Sequence, residues 1–228
     1  MRALIGVTCP AQPDVEGKTN YNYCRMVQEA GAVPLVCSLP SEPEQVNPIL
    51  DALDALIITH EVCQLRMDDD LAIQFLLSAL DKDMPILAVD AGCLLLNQVL
   101  GGSSSEPQAS RQKHEQGSLP GHMPWHTLRL DPWSCLATFI GETRVEVNSF
   151  HHLAIASAGS GLVPVGWSDD GAIEAVESKA HTFVMGVQFR PHLMAAPSGQ
   201  RLFRSFRRSA ETYRQRKRQV LAAARPVS

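Results

Sequence analysis

Three features of this 228-residue sequence predict an α/β fold with a mostly parallel central sheet and helices on both faces. Short runs of unbroken apolar character recur, whereas strands with one wet face would alternate. Segments with apolar residues at helical spacing separate these runs. Glycine, proline and aspartate fall at the junctions. Alternating strands and helices place parallel strands side by side, joined by crossover helices. The length suits one large domain, and 45% hydrophobic with 19% charged residues is the balance of a chain that buries a core.

The elements follow in order. Residues 3–8 (ALIGVT) read as the first strand. NYNYCRMVQEAG sets Tyr23, Met26, Val27 and Ala30 on one helix face, and Gly31 stands where a left-handed residue ends a helix. VPLVCSLP is the second strand, 42–52 reads as helical, and ALIITH (55–60) is the third strand. In DDLAIQFLLSALDKD the aspartates favour the positive end of a helix, and Leu71, Phe75, Leu76 and Leu80 form its apolar stripe. PILAV is the fourth strand. Gly101 to Pro124 is polar and rich in glycine and serine, the composition of a long surface loop. HTLRL, TRVEV, LVPVGWS, AIEAVES and FVMGVQF then give a more β-rich half, and a last helix starts near Ser198. With no repeat or linker, one domain covers 1–209, followed by a basic helical tail over 210–228.

The net charge of −4 hides an asymmetry. Residues 201–228 carry nine basic side chains and one acid, a net +8, against −12 for the rest. Such a helix is expected to lie against its own acidic body, with contact to another acidic surface as the alternative. Six cysteines (9, 24, 37, 63, 93 and 135) without a CxxC pair suggest reduced, core-packed thiols in a cytoplasmic protein. No apolar run approaches the roughly 18 residues of a membrane span, so no membrane contact is expected. The N-terminal stretch is too short for a signal peptide. In GHMPWH, His122 and His126 are four apart but lie in a Gly/Pro loop, and the adjacent His151 and His152 point in different directions. No metal and no cofactor is expected.

Ligands of parallel sheets sit beyond the carboxyl ends of the strands. Three such ends carry chemistry: Thr59-His60-Glu61, Asp90-Ala91-Gly92 and Arg190-Pro191-His192. The segment PILAVDAGCLLLNQVLGG reads as strand, sharp turn and helix with Asp90 at the tip, where α/β hydrolases place a nucleophile.

The order Tyr23…Ala30-Gly31…Pro34, PILAV-x-x-G-x-x-LLN-x-x-x-GG, VNSFHH, DDGAIEAVE and GVQF-x-P resembles the class I glutamine amidotransferase-like hydrolases. The nearest branch is the gamma-glutamyl-gamma-aminobutyrate hydrolases of peptidase family C26, and the resemblance runs from the first strand to about Phe206. It implies a flavodoxin-like fold with a small antiparallel section. It also implies a cysteine nucleophile on the elbow, a histidine base oriented by a glutamate, and a glycine pair whose amides hold the oxyanion. Position by position, this chain departs from that scheme. Asp90 stands at the nucleophile, Arg190 at the histidine, His192 at the glutamate, and His60-Glu61 at the glycine pair. Cys93 falls three residues into the helix. Asn148, Ser149, His151 and His152 match the segment beside the family's active site and are expected to line a remnant pocket. A homodimer, a small gamma-glutamyl-like ligand or a protein partner is what the resemblance implies about association.

Asp90 and Arg190 replace a thiolate–imidazolium pair by a carboxylate–guanidinium pair. An arginine stays protonated and cannot serve as a base, while its planar fork suits a bidentate bond to a carboxylate. Two functions follow. The first is a catalytically degenerate homologue that binds or regulates. The second is a hydrolase of gamma-glutamyl amides working through Asp90, with His192 activating the second-step water, or through Cys93. An arginine partner would weaken Asp90 as a nucleophile, Glu61 would put an acid beside developing negative charge, and the leucines around Cys93 mark a core position. Replacing nucleophile, base, orienter and oxyanion glycines together favours lost chemistry.

Overall fold

The computed structural model describes residues 2–9, 18–59, 70–106, 123–194 and 197–223. Its strands are β1 (Leu4–Cys9), β2 (Val33–Ser38), β3 (Ala55–Ile58), β4 (Ile86–Val89), β5 (Ser103–Ser105), β6 (His126–Leu130), β7 (Arg144–Val147), β8 (Ala154–Ser157), β9 (Leu162–Ser168), β10 (Ile173–Ser178) and β11 (Val184–Val187). The helices are α1 (Lys18–Glu29), α2 (Val46–Ala52), α3 (Asp70–Asp81), α4 (Ala91–Val99), α5 (Cys135–Ile140) and α6 (Ser198–Ala223). One 11-stranded sheet has the order β2-β1-β3-β4-β11-β10-β9-β6-β7, with β8 on β10 and β5 on β8. From β2 to β11 the neighbours are parallel, and from β11 onward they are antiparallel. The antiparallel section therefore continues the same sheet.

Helices cover both faces, which explains the unbroken apolar strands: β3, β4 and β11 are buried at every position. On one face Tyr23 and Val27 of α1 pack with Phe203 and Phe206 of α6. On the other, Leu50, Phe75, Leu76 and Leu95 close the core. In α3 the buried stripe is Ala72, Phe75, Leu76, Ala79 and Leu80, so Leu71 sits at its margin. Gly31 ends α1 at φ +94°, as its position predicts.

Two regions depart from the sequence reading, which foresaw neither the paired strands β5 and β8 nor α5. The long loop expected from Gly101 begins instead with β5, which pairs with β8. Asn97 holds this pair: its amide donates to Ser103 O at 3.1 Å and Ser157 O at 3.0 Å, and its carbonyl accepts from the Gly159 amide at 2.8 Å. Three serines have little strand propensity, so pairing supplied from a distant segment decides the matter. Residues 107–122 of that loop lie outside the described residues. The second departure is α5, whose six residues are too few for a periodic signal. Its ends are nevertheless specified: Ser134 Oγ accepts from the Ala137 amide at 3.0 Å, Gly141 closes it at φ +82°, and the buried Glu177 accepts from the Cys135 amide at 3.2 Å.

The cysteines also depart from a uniformly buried set. Cys93 is buried, Cys24 and Cys37 are half-buried, and Cys135 is exposed at the start of α5.

α6 runs unbroken across position 210 and buries Leu202, Phe203, Phe206, Ala210 and Tyr213. Its basic charge meets the chain's own acids: Arg207 pairs with Glu211 at 2.9 Å, Arg216 with Asp83 at 3.0 Å and Lys217 with Asp54 at 3.2 Å. Lys217 also donates to the carbonyls of Asp51 at 3.1 Å and Leu53 at 2.7 Å, where α2 ends and a cation is favoured. Among the described residues, no helix is long and apolar enough to cross a membrane.

Asp83, at φ +48°, ties α6 to the chain before β11. Burial works to raise its carboxyl, but the Thr182 hydroxyl (2.6 Å) and amide (2.8 Å) and the Arg216 guanidinium outweigh it, and the group titrates below the usual carboxylate range. A carboxylate lowered on folding adds stability above its unfolded pKa of about 3.9, and loses it as pH falls through the folded value. Asp83→Asn is therefore expected to lower stability at neutral pH by about 1 kcal/mol or less, since the site is partly solvated. The gap to the parent protein should close in acid, as read by urea unfolding at several pH values.

Candidate functional site

The parallel pairing of β4 with β11 aligns Val89 with Val187, so both strands deliver their next residues to one edge of the sheet. Asp90 follows β4 directly, at φ +56° and ψ −122°. Among the described residues, it and Asp83 are the two non-glycine residues with positive φ. Such a conformation costs roughly 1–3 kcal/mol and persists where neighbours over-determine it. Here the Asp90 amide donates to Val187 O at 2.8 Å, and its carbonyl accepts from the Cys93 amide at 2.9 Å as α4 begins. Gly92 allows the tight approach of α4 to β3, because a Cβ there would lie 2.4 Å from Ile58 O. Beside it, Thr59 donates twice to Thr8, from its amide to Oγ1 and from its hydroxyl to the carbonyl, both at 3.1 Å, and ties the ends of β3 and β1.

The Asp90 side chain makes no capping bond to α4. Arg190 takes it instead: Nε and Nη2 both donate to Asp90 Oδ2, each at 3.0 Å. The ion pair expected from the sequence is present, but the fork converges on a single oxygen and does not span two. The side chains are 21% and 7% exposed. Phe150 lies under the guanidinium, with Cζ 4.5 Å from the ring centroid. Asn148 clasps the Arg190 backbone, donating to its carbonyl and accepting from its amide, both at 2.9 Å. Backbone, charge and ring thus hold Arg190 from three sides.

The other sequence candidates are dispersed. His192, in a 3₁₀ turn over Pro191–Leu193, packs edge-on against Tyr23 of α1 with ring centroids 4.2 Å apart. Cys93 is fully buried, and burial, with the Glu174 and Asp90 carboxylates adding to it, pushes its thiol far above the ordinary range. It cannot supply a thiolate at neutral pH. Asn148, Ser149 and His151 are buried and His152 is exposed. His151 turns inward: Nδ1 is 2.9 Å from Leu153 O, and Nε2 is 3.2 Å from Oε1 of Glu174. His60, Glu61 and His122 lie outside the described residues. His126 points to Glu174, at 3.7 Å. Among the described residues, no group of three histidine, cysteine or acidic side chains is arranged to hold a metal.

Sequence reasoning does not find Phe150 or Glu174. Phe150 has no local signal beyond its place in VNSFHH. Glu174 leaves one trace, an acid inside the apolar run AIEAVES, where a charge needs a buried partner.

The sheet order and strand–elbow–helix geometry are those of the class I glutamine amidotransferase-like fold. The glutaminase domain of the Trypanosoma brucei CTPS, solved with bound acivicin, superposes with a TM-score of 0.69 at 14% identity, covering 92% of this chain and 94% of that one. The peptidase C26 family model matches residues 64–192. A glutamine amidotransferase-like protein of Lactococcus lactis, YvdE, is 35% identical over 192 residues, 76% of this chain and 80% of that one. This chain belongs to the peptidase C26 family. The gamma-glutamyl-gamma-aminobutyrate hydrolase PuuD of Escherichia coli is 24% identical over 196 residues, 74% of this chain and 76% of that one.

Arg190→Met strands Asp90 as a buried unpaired carboxylate. The expected loss is about 3 kcal/mol, at the low end for a buried pair because Arg190 is 21% exposed. Adding Asp90→Asn should recover most of it, which a double-mutant cycle by denaturant unfolding reads. In the folded protein, alkylation followed by mass mapping should label Cys135 and leave Cys93 unmodified.

Proposed function

We propose that this protein is a catalytically degenerate member of the peptidase C26 family, acting as a binding or regulatory protein. The observation that carries this reading is the state of the elbow. The residue at the nucleophile's position is a carboxylate whose Oδ2 takes both guanidinium donors, and the residue at the base's position is the arginine that supplies them. A general base must accept a proton from the attacking group, and an arginine has none of that capacity. The buried Cys93 thiol offers no substitute. The ligand would be a small gamma-glutamyl-like compound or a protein surface, and a homodimer fits the family resemblance.

The strained backbone at Asp90 favours one other reading, a gamma-glutamyl amide hydrolase with a carboxylate nucleophile. In that scheme Asp90 attacks the amide carbonyl, the amine leaves, and water cleaves the resulting anhydride. His192 would activate that water, yet its ring packs on Tyr23.

The two are separated by glutamate release from gamma-glutamyl-gamma-aminobutyrate and from glutamine at high protein concentration, with Asp90→Asn and Cys93→Ala alongside. No release above a boiled control is the expected outcome. Turnover abolished by Asp90→Asn alone would establish the hydrolase instead.

A further inference from the structure

The strand β2 closes one end of the sheet. It pairs with β1 on its inner side, and among the described residues no strand pairs with its outer side. The Val33 amide donates to the Ala3 carbonyl at 2.8 Å, which fixes the phase of the strand. Val33, Leu35 and Cys37 therefore turn their backbone groups toward β1, and Pro34 and Val36 turn theirs outward. Pro34, which has no amide hydrogen, falls where the sheet needs no donor. Val36 keeps both an amide and a carbonyl on that outer side, and neither meets a partner among the described residues.

The side chains at this edge are apolar and open to water. Val33, Leu35 and Val36 are 43%, 42% and 48% exposed. Side chains alternate along a strand, so Val33 and Leu35 stand on one face of the sheet and Val36 on the other. From Ala30 to Pro40 the sequence AGAVPLVCSLP carries no charged residue. Edge strands are ordinarily blunted by charge or by shortness, because a bare edge is a template for another strand. Elsewhere in this sheet the pattern holds: β7 has four residues with Arg144 and Glu146 exposed, and β5 is three serines. β2 has six residues and no charge.

We propose that β2 is the surface on which a second copy of this chain docks, the two β2 strands pairing antiparallel about a two-fold axis at Val36. The position of Pro34 selects that axis. With the axis at Val36, each Val36 amide donates to the other copy's Val36 carbonyl, and both bonds form. An axis at Leu35 would set Val36 opposite Pro34 and leave its carbonyl without a donor. An axis at Pro34 would bring two residues without amide hydrogens together. A second copy suits the edge better than a charged partner does, because a two-fold axis sets each residue near its own equivalents. Like charges placed opposite one another are destabilising, so self-pairing requires an uncharged strand, and β2 is one. The two Val36 side chains would pack together on one face, while Val33 and Leu35 would be covered on the other. A six-residue strand is only about 20 Å long, and an interface built around it lies at the small end of specific contacts. The dimer is therefore reversible, dissociating on the order of micromolar concentrations. This inference rests on the homodimer named above and gives it a surface and a register.

Sedimentation equilibrium of the whole chain over a micromolar concentration series tests it. The expected result is a monomer–dimer equilibrium. Val36→Pro removes the outward amide and leaves the β1–β2 ladder intact, and Leu35→Lys sets a charge on the edge. Each should weaken the dimer at least about tenfold with a melting temperature near that of the parent. Val36→Cys should form an interchain disulfide between the two introduced thiols under mild oxidation, identified by peptide mass mapping. Hydrogen-bonded residues of an antiparallel pair have Cα atoms about 5.5 Å apart, within reach of such a bond. Leu35→Lys and Val36→Cys decide the matter if Val36→Pro does not fold. A chain that stays monomeric throughout overturns both the surface and the homodimer. A dimer indifferent to these substitutions overturns the surface and leaves the homodimer standing. A dimer broken by Leu35→Lys but without the Val36→Cys disulfide overturns the register. None of these readouts depends on turnover, so an active hydrolase would overturn only the catalytic reading.

Discussion

The register of β4 against β11 is the constraint on which the rest of the site depends. Parallel strands end on the same side, and pairing Val89 with Val187 brings Asp90 to Arg190 across a separation of 100 positions. Neither residue has a local reason to meet the other. Once the strands are paired, a carboxylate and a guanidinium emerge together at an edge that the elbow partly closes to water. Their contact then follows from charge and from the cost of leaving either one alone.

The elbow shows how strain and charge are combined at that edge. The positive φ of Asp90 is what a strand–turn–helix junction requires in order to lift a side chain clear of the helix that follows. Here the lifted carboxylate is met by Arg190, whose other contacts come from Asn148 and Phe150. The backbone keeps the elbow shape while the two side chains satisfy each other.

α6 solves a different electrostatic problem at the other end of the sheet. A helix this rich in arginine repels itself, yet Arg216 and Lys217 sit against Asp83, Asp54 and the carbonyl end of α2. Tyr213 anchors that turn from below: the Arg216 and Lys217 cations lie 5.9 and 5.6 Å from its ring centroid. Apolar packing along Leu202, Phe203 and Phe206 fixes the first half of the helix, and ion pairs fix the second. The body's excess negative charge is therefore partly neutralised by the chain's own terminus.

The class of fold is legible along the sequence, because apolar runs, helical stripes and their punctuation are local signals. The same signals marked the strands that are buried on both faces, the glycine that ends α1, and Asp90 at the tip of its turn. Matching motifs also put Arg190 opposite Asp90. Tertiary structure alone decided what those residues do. Ser103–Ser105 became a strand because Ser157 and Asn97 offered it partners. Both arginine donors converged on one carboxylate oxygen because Asn148 fixed the backbone from which the side chain reaches. Within the VNSFHH motif, His151 turned into the core toward Glu174 while His152 faced solvent. Periodicity along a chain says which face of an element is apolar. Which distant polar groups share a buried space depends on strand order and register, and those are set by the whole molecule.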